Sequence, residues 1–172
     1  YRPPMSAQLC PGFQLVGEPD GDESGTAVAS AGDSNGDGLD DILVGGTYRD
    51  SNSDDSGQSY VIFGSSEGFD LDTVLRDGQG NDFLDGTNGF VIKTSGSEFG
   101  NPRVAGGGDL NGDGFDDVVI SEYGAMVDGR SYVGEVYVIF GQDSTYPPVA
   151  LGPNFAGLQS MQITSSLGQT DE

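Results

Sequence analysis

The chain carries the same pattern of sequence twice. Tyr60-Val61-Ile62-Phe63-Gly64 recurs letter for letter as Tyr137-Val138-Ile139-Phe140-Gly141, an offset of 137 − 60 = 77 residues. Gly12-Phe13 and Gly89-Phe90 share that offset (89 − 12 = 77), and the run from Asp33 to Asp41 returns from Asp109 to Asp117 at 109 − 33 = 76. Three markers in one order define a repeat. A repeat of this kind is a supersecondary unit that buries its apolar face only against a neighbour, so the chain has to be built from units packed side by side.

Inside each unit the apolar runs are short and bounded by Gly, Asp, Asn and Ser, which is the pattern of strands rather than helices. The first unit predicts strands at Thr26 to Ala31, Asp41 to Gly45, Ser59 to Phe63 and Phe90 to Lys93. The second predicts them at Arg103 to Gly106, Asp117 to Ser121, Glu135 to Phe140 and Met161 to Thr164. The fold class is therefore all-β, with four antiparallel strands per unit, as in one blade of a β-propeller. Residues 23–94 form the first blade and 95–164 the second. A lead-in, 1–22, holds a strand at Phe13 to Val16 that resembles the fourth strand of a preceding blade, and 165–172, with Leu167-Gly168, resembles the start of a further repeat. Ser65 to Asn88 and Gln142 to Ser160 read as long linkers between third and fourth strands.

The chemistry lies in the two acidic loops. One reads Asp33-Ser34-Asn35-Gly36-Asp37-Gly38-Leu39-Asp40-Asp41 and the other Asp109-Leu110-Asn111-Gly112-Asp113-Gly114-Phe115-Asp116-Asp117. Oxygen side chains fall at positions 1, 3, 5 and 9, and a tight turn points them inward together with the backbone carbonyl of Leu39 or Phe115 at position 7. Three carboxylates, an amide oxygen, a carbonyl and a water form the six-to-eight-oxygen shell that Ca²⁺ takes. Two calcium sites are expected. Zinc would want nitrogen or sulfur, which neither loop supplies. An EF-hand would need Glu at position 12, where the loops have Val44 and Ile120, both inside apolar runs. Asp40 and Asp116 have the wrong parity to be ligands and are expected to support the shell from outside or to face water.

A formal charge of −22, from 28 acidic residues against six basic ones, makes a compact chain repel itself unless cations neutralise it. The same imbalance is expected to repel nucleic acid and anionic membrane surfaces, both bound chiefly through Lys and Arg. No apolar run is long enough for membrane insertion as a helix. The absence of His rules out Ser-His-Asp and Cys-His machinery within the chain, and Cys10, the single cysteine, has no internal disulfide partner.

These loops, the apolar strands after them and the elements Gly57-Gln58-Ser59-Tyr60-Val61 and Gly134-Glu135-Val136-Tyr137-Val138 resemble the FG-GAP repeat of integrin α-subunit propellers and many bacterial surface proteins. Phe99-Gly100 supplies the name-giving dipeptide in the second unit, where the first has Ser24-Gly25. Where that family often has Gly-Ala-Pro, this chain has Gly45-Gly46-Thr47 and Ser121-Glu122-Tyr123. The resemblance implies a calcium-clamped, secreted or cell-surface adhesion module belonging to a larger propeller, completed by further blades of the same protein or by other copies. No catalytic residue is expected. Two other functions stay open: a lectin-like adhesin gripping a glycan or protein through Tyr48, Tyr123 and Tyr132, and a polysaccharide-active enzyme using carboxylate pairs.

Overall fold

β-Branched and aromatic residues suit a pleated surface buried on both faces, and the two matching runs around Tyr60 and Tyr137 take interior positions in two sheets. The computed structural model describes residues 12–17, 24–46, 58–69, 72–74, 84–93, 102–123, 125, 130, 133–143, 149–150 and 160–164. In chain order the strands are β1 (Gln14–Val16), β2 (Ala27–Gly32), β3 (Asp41–Gly46), β4 (Gln58–Ile62), β5 (Asp72–Val74), β6 (Gly89–Lys93), β7 (Arg103–Gly108), β8 (Asp117–Glu122), β9 (Glu135–Ile139), β10 (Val149–Ala150) and β11 (Ser160–Thr164). No helix occurs among the described residues, so none there is long and apolar enough to cross a membrane.

Strands β2, β3, β4 and β6 pair antiparallel in that order, as do β7, β8, β9 and β11. Each repeat unit is thus one four-stranded antiparallel sheet. All eight expected strands are present, within two residues at either end. The described residues do not form a closed ring.

Two short strands lie inside the stretches read as linkers. β10 pairs parallel with β6, and β5 pairs parallel with β1. Their starts are one repeat apart (149 − 72 = 77), so the long excursion of each unit lends a strand to the edge of the element before it. β1 therefore stands to β5 as β6 stands to β10.

The sheets pack face to face through β2 and β3 against β7. Ala31, Leu43, Val61, Phe63, Phe90 and Ile92 of the first unit share one buried cluster with Val118, Ile120, Tyr137 and Ile139 of the second. Alternate residues face the other way: Val44, Tyr60, Ile62 and Val91 join Leu84 in a second cluster, against which Leu15 and Phe69 pack. Phe69 in turn stacks on Phe13, ring centroids 4.1 Å apart. A fully buried side chain of this size contributes about 1.5–3 kcal/mol, so the shared cluster makes each unit's stability depend on the other.

At Gly106 the sheets approach closely: an added Cβ would lie 2.4 Å from the Ser30 carbonyl oxygen. Gly106→Ala should therefore lower stability by about 1–3 kcal/mol through overpacking. Gly12→Ala, whose new Cβ meets nothing within 4 Å, should stay within about 0.5 kcal/mol of the parent. Urea unfolding of the two variants makes the comparison.

Candidate metal loops

Each acidic loop begins where a strand is forced off its sheet. The first strand of each unit ends in a register shift, between Ser30 and Gly32 and between Gly106 and Gly108. Gly32 and Gly108 hold φ of 67° and 64°, the left-handed turn that an L side chain resists. The loops then repeat one backbone path, with φ of 76° and 86° at Gly36 and Gly38 and of 78° and 96° at Gly112 and Gly114. Loop shape is set by the glycines, since the loops differ at positions 2 and 7, Ser34 against Leu110 and Leu39 against Phe115.

The side chains at positions 1, 3 and 5 turn into the loop and take its amides. Asp33 Oδ2 accepts from Gly38 N–H at 3.0 Å, Asn35 Oδ1 from Asp37 N–H at 3.1 Å and Asp37 Oδ1 from Leu39 N–H at 2.9 Å. In the second loop Asp109 accepts from Gly112, Asp113 and Gly114, Asn111 Oδ1 from Asp113 N–H and Asp113 Oδ1 from Phe115 N–H. Position 9 closes each loop and ties it to the end of the third strand. Asp41 Oδ2 accepts from the Ser34 amide at 2.9 Å and the Ser34 hydroxyl at 2.5 Å, while Oδ1 accepts from Gly64 N–H at 2.9 Å. Asp117 does the same with Leu110 N–H at 2.7 Å and Gly141 N–H at 2.9 Å.

Among the described residues, no group of three or more Asp, Glu, Cys or His side chains is gathered into a formed metal cage. Asp33, Asn35, Asp37, Asp41 and their counterparts are drawn into one short loop, with their oxygens turned to its amides. Their chemistry still fits a hard cation: the polar side chains at positions 1, 3, 5 and 9 offer only oxygen as ligand, and Asp33 Oδ1 is buried with no hydrogen-bond donor against it. A carboxylate oxygen left this way is costly unless something positive meets it. Leu39 and Phe115 lie half-buried at position 7, packed over Gly64 and Gly141, where an added Cβ would meet their Cβ atoms at 2.6 and 2.5 Å.

Sequence reasoning missed the contact between the loops. Asp116 reaches across the unit interface: its Oδ2 accepts from Asp33 N–H at 2.9 Å, and its own N–H donates to the Asp33 carbonyl at 3.1 Å. Gln142 N–H donates to the Ser34 carbonyl at 3.0 Å, and the Phe115 ring lies over Gly36, where a Cβ would sit 2.4 Å from it. Asp40, at the same loop position in the first unit, is exposed. The sequence traces of this docking are glycines, Gly32 above all, since a Cβ there would overlap the Asp116 carboxylate.

Residues 101–139 match the family model of the FG-GAP repeat. This segment is similar to the FG-GAP repeat. It spans β7, the second loop, β8 and β9. No curated protein sequence matches the chain. The unit before the matched FG-GAP repeat shares its strand order, bulge and loop path.

Burial pushes the Asp41 carboxyl above its ordinary value of 3.8, opposed by the Ser34 hydroxyl, the Gly64 and Ser34 amides, and reinforced by the Asp37 charge. A carboxyl raised on folding stabilises the cation-free protein below its unfolded pKa, and that contribution is lost as pH rises through the folded value. Stability of the cation-free protein should therefore fall as pH rises above about 3.8, through the raised folded value, by more than that of Asp41→Asn, which does not titrate. Asp41→Ala, leaving three donors without their acceptor, should cost about 3 kcal/mol or more. Chemical denaturation in chelator across this pH range measures both effects.

Proposed function

We propose that the chain is a calcium-stabilised, non-enzymatic module of the integrin-like extracellular kind, its two sheets being neighbouring blades of a larger or assembled β-propeller. The carrying observation is the all-oxygen loop, present twice in one backbone conformation, with a buried Asp33 oxygen that no hydrogen-bond donor meets. Asp33, Asn35, Asp37, Asp41 and the Leu39 carbonyl would hold one ion, and Asp109, Asn111, Asp113, Asp117 and the Phe115 carbonyl the other. A bound Ca²⁺ supplies positive charge where three carboxylates crowd together. The chain's own part is mechanical: Asp41 and Asp117 fasten the loop to Gly64 and Gly141 beyond the third strand, so a filled loop clamps three strands of its blade.

The outer face of the second sheet supports the larger assembly. Val119 and Phe140, both half-buried, lie at repeat positions whose first-unit counterparts, Leu43 and Phe63, the second unit covers. A further blade or another copy would bury that face in the same way. A surface or secreted setting, with millimolar calcium, agrees with this reading. Adhesion through an exposed aromatic is a second reading, favoured by Tyr123, which is 59% exposed just beyond β8. Tyr48 and Tyr132 lie outside the described residues. A glycan array probed with and without calcium tests it, and retention that Tyr123→Ala abolishes is the expected sign.

Because the ion binds the folded loop, calcium at about a hundredfold excess over Kd should stabilise each site by about 2.7 kcal/mol. Asp37→Ala and Asp113→Ala should each remove one site's share. Thermal unfolding in calcium and then in EGTA reads this directly, and an unchanged midpoint refutes the assignment.

A further inference from the structure

The two loops are not equivalent surroundings for an ion, and the difference follows the docking of one on the other. In the second loop the first aspartate is fully engaged: Asp109 Oδ1 accepts from Gly112 and Asp113, and Oδ2 from Gly114. Asp33 is different. Its Oδ2 accepts from Gly38, while Oδ1 is buried without a donor. Asp33 is also the residue gripped from the second unit, through Asp116 on its amide and carbonyl, with Gln142 on the next carbonyl. Asp116 lies between Phe115 and Asp117, the seventh and ninth positions of the second loop, so whatever fixes those two fixes the carboxylate between them.

We propose that Asp116 is a positioning residue that couples the two calcium sites across the unit interface. It holds Asp33 with one oxygen open, making the first loop the tighter site, and it links occupation of the second loop to affinity at the first. This rests on the calcium reading given above. The coupling is carried by a contiguous hydrogen-bonded contact rather than by distance alone, and it must be reciprocal: each filled loop raises the other's affinity by the same factor.

The test is calorimetric titration of the whole chain with calcium, read beside thermal unfolding to confirm that each variant is folded. Asp113→Ala leaves only the first loop able to bind, and Asp37→Ala leaves only the second. In the Asp113→Ala background, adding Asp116→Ala should weaken the remaining site by about fivefold or more. Asp116→Asn, which keeps an acceptor oxygen for the Asp33 amide, should recover most of that loss. Asp40→Ala, the matched charge removal at the exposed counterpart, should shift the remaining site of Asp37→Ala by less than about twofold, the scale of a surface change.

Two equal, independent sites in the parent, or equal effects of Asp116→Ala and Asp40→Ala, overturn the coupling while leaving calcium binding intact. A loss from Asp116→Ala that Asp116→Asn does not restore also overturns it, by showing that charge and not docking mattered. An absence of calcium heat in every protein, folded by its unfolding curve, removes the calcium reading and the coupling with it.

Discussion

Leu43, Val61 and Ile92 from one sheet share a buried cluster with Val118, Ile120 and Tyr137 from the other, and that contact fixes how the two loops meet. Once β7 lies on β2, the bulges at Gly32 and Gly108 launch the two loops from equivalent points. The second loop then lies against the first. Gly32, Gly36 and Gly106 are all places where an added Cβ would collide with the other unit. Apolar burial sets the spacing, missing side chains permit it, and the Asp116 hydrogen bonds use it.

The electrostatic problem is concentrated where the backbone can answer it. A chain with a net charge of −22 cannot spread its acids evenly without repulsion. In each loop the carboxylates are instead surrounded by inward-turned amides, the arrangement by which successive N–H groups make an anion-holding hollow. Those amides replace part of the lost hydration. They do not cancel the charge, and burial still pushes Asp41 upward despite its three donors. That compensation is least complete at Asp33, whose Oδ1 is buried with no hydrogen-bond donor against it beside the neighbouring unit's Asp116.

How much of this was readable beforehand depends on the range of the interaction. The eight principal strands were legible because alternation and turn residues act within a few positions, and the loop turns because the Gly, Asn and Asp spacing that shapes them is local. β5 and β10 were not. They are three and two residues long and pair in parallel with distant edges, so no periodicity marks them. Asp41 and Asp117 were read as ligands, and their loop-closing bonds to Gly64 and Gly141 depended on where the third strand would end. Asp116 was read as peripheral because parity within its own loop says nothing about a neighbour's amide. The same letter at Asp40 is exposed, so no rule based on the loop alone could have separated the two.

The units are repeats in backbone but not interchangeable in place. At the far end of the second and third strands, Gly46 and Gln58 of the first unit correspond to Glu122 and Glu135 of the second, paired with each other across β8 and β9 and both buried. The Tyr137 hydroxyl donates to the Glu135 carboxylate, and burial, with that bond and the nearby Glu122 charge, raises the phenol far above its ordinary value. Two buried acids beside a tyrosine are tolerable only where the surrounding polar groups match them. The two units therefore share an apolar repeat and differ in the polar residues they bury at this end, a difference the backbone alone does not reveal.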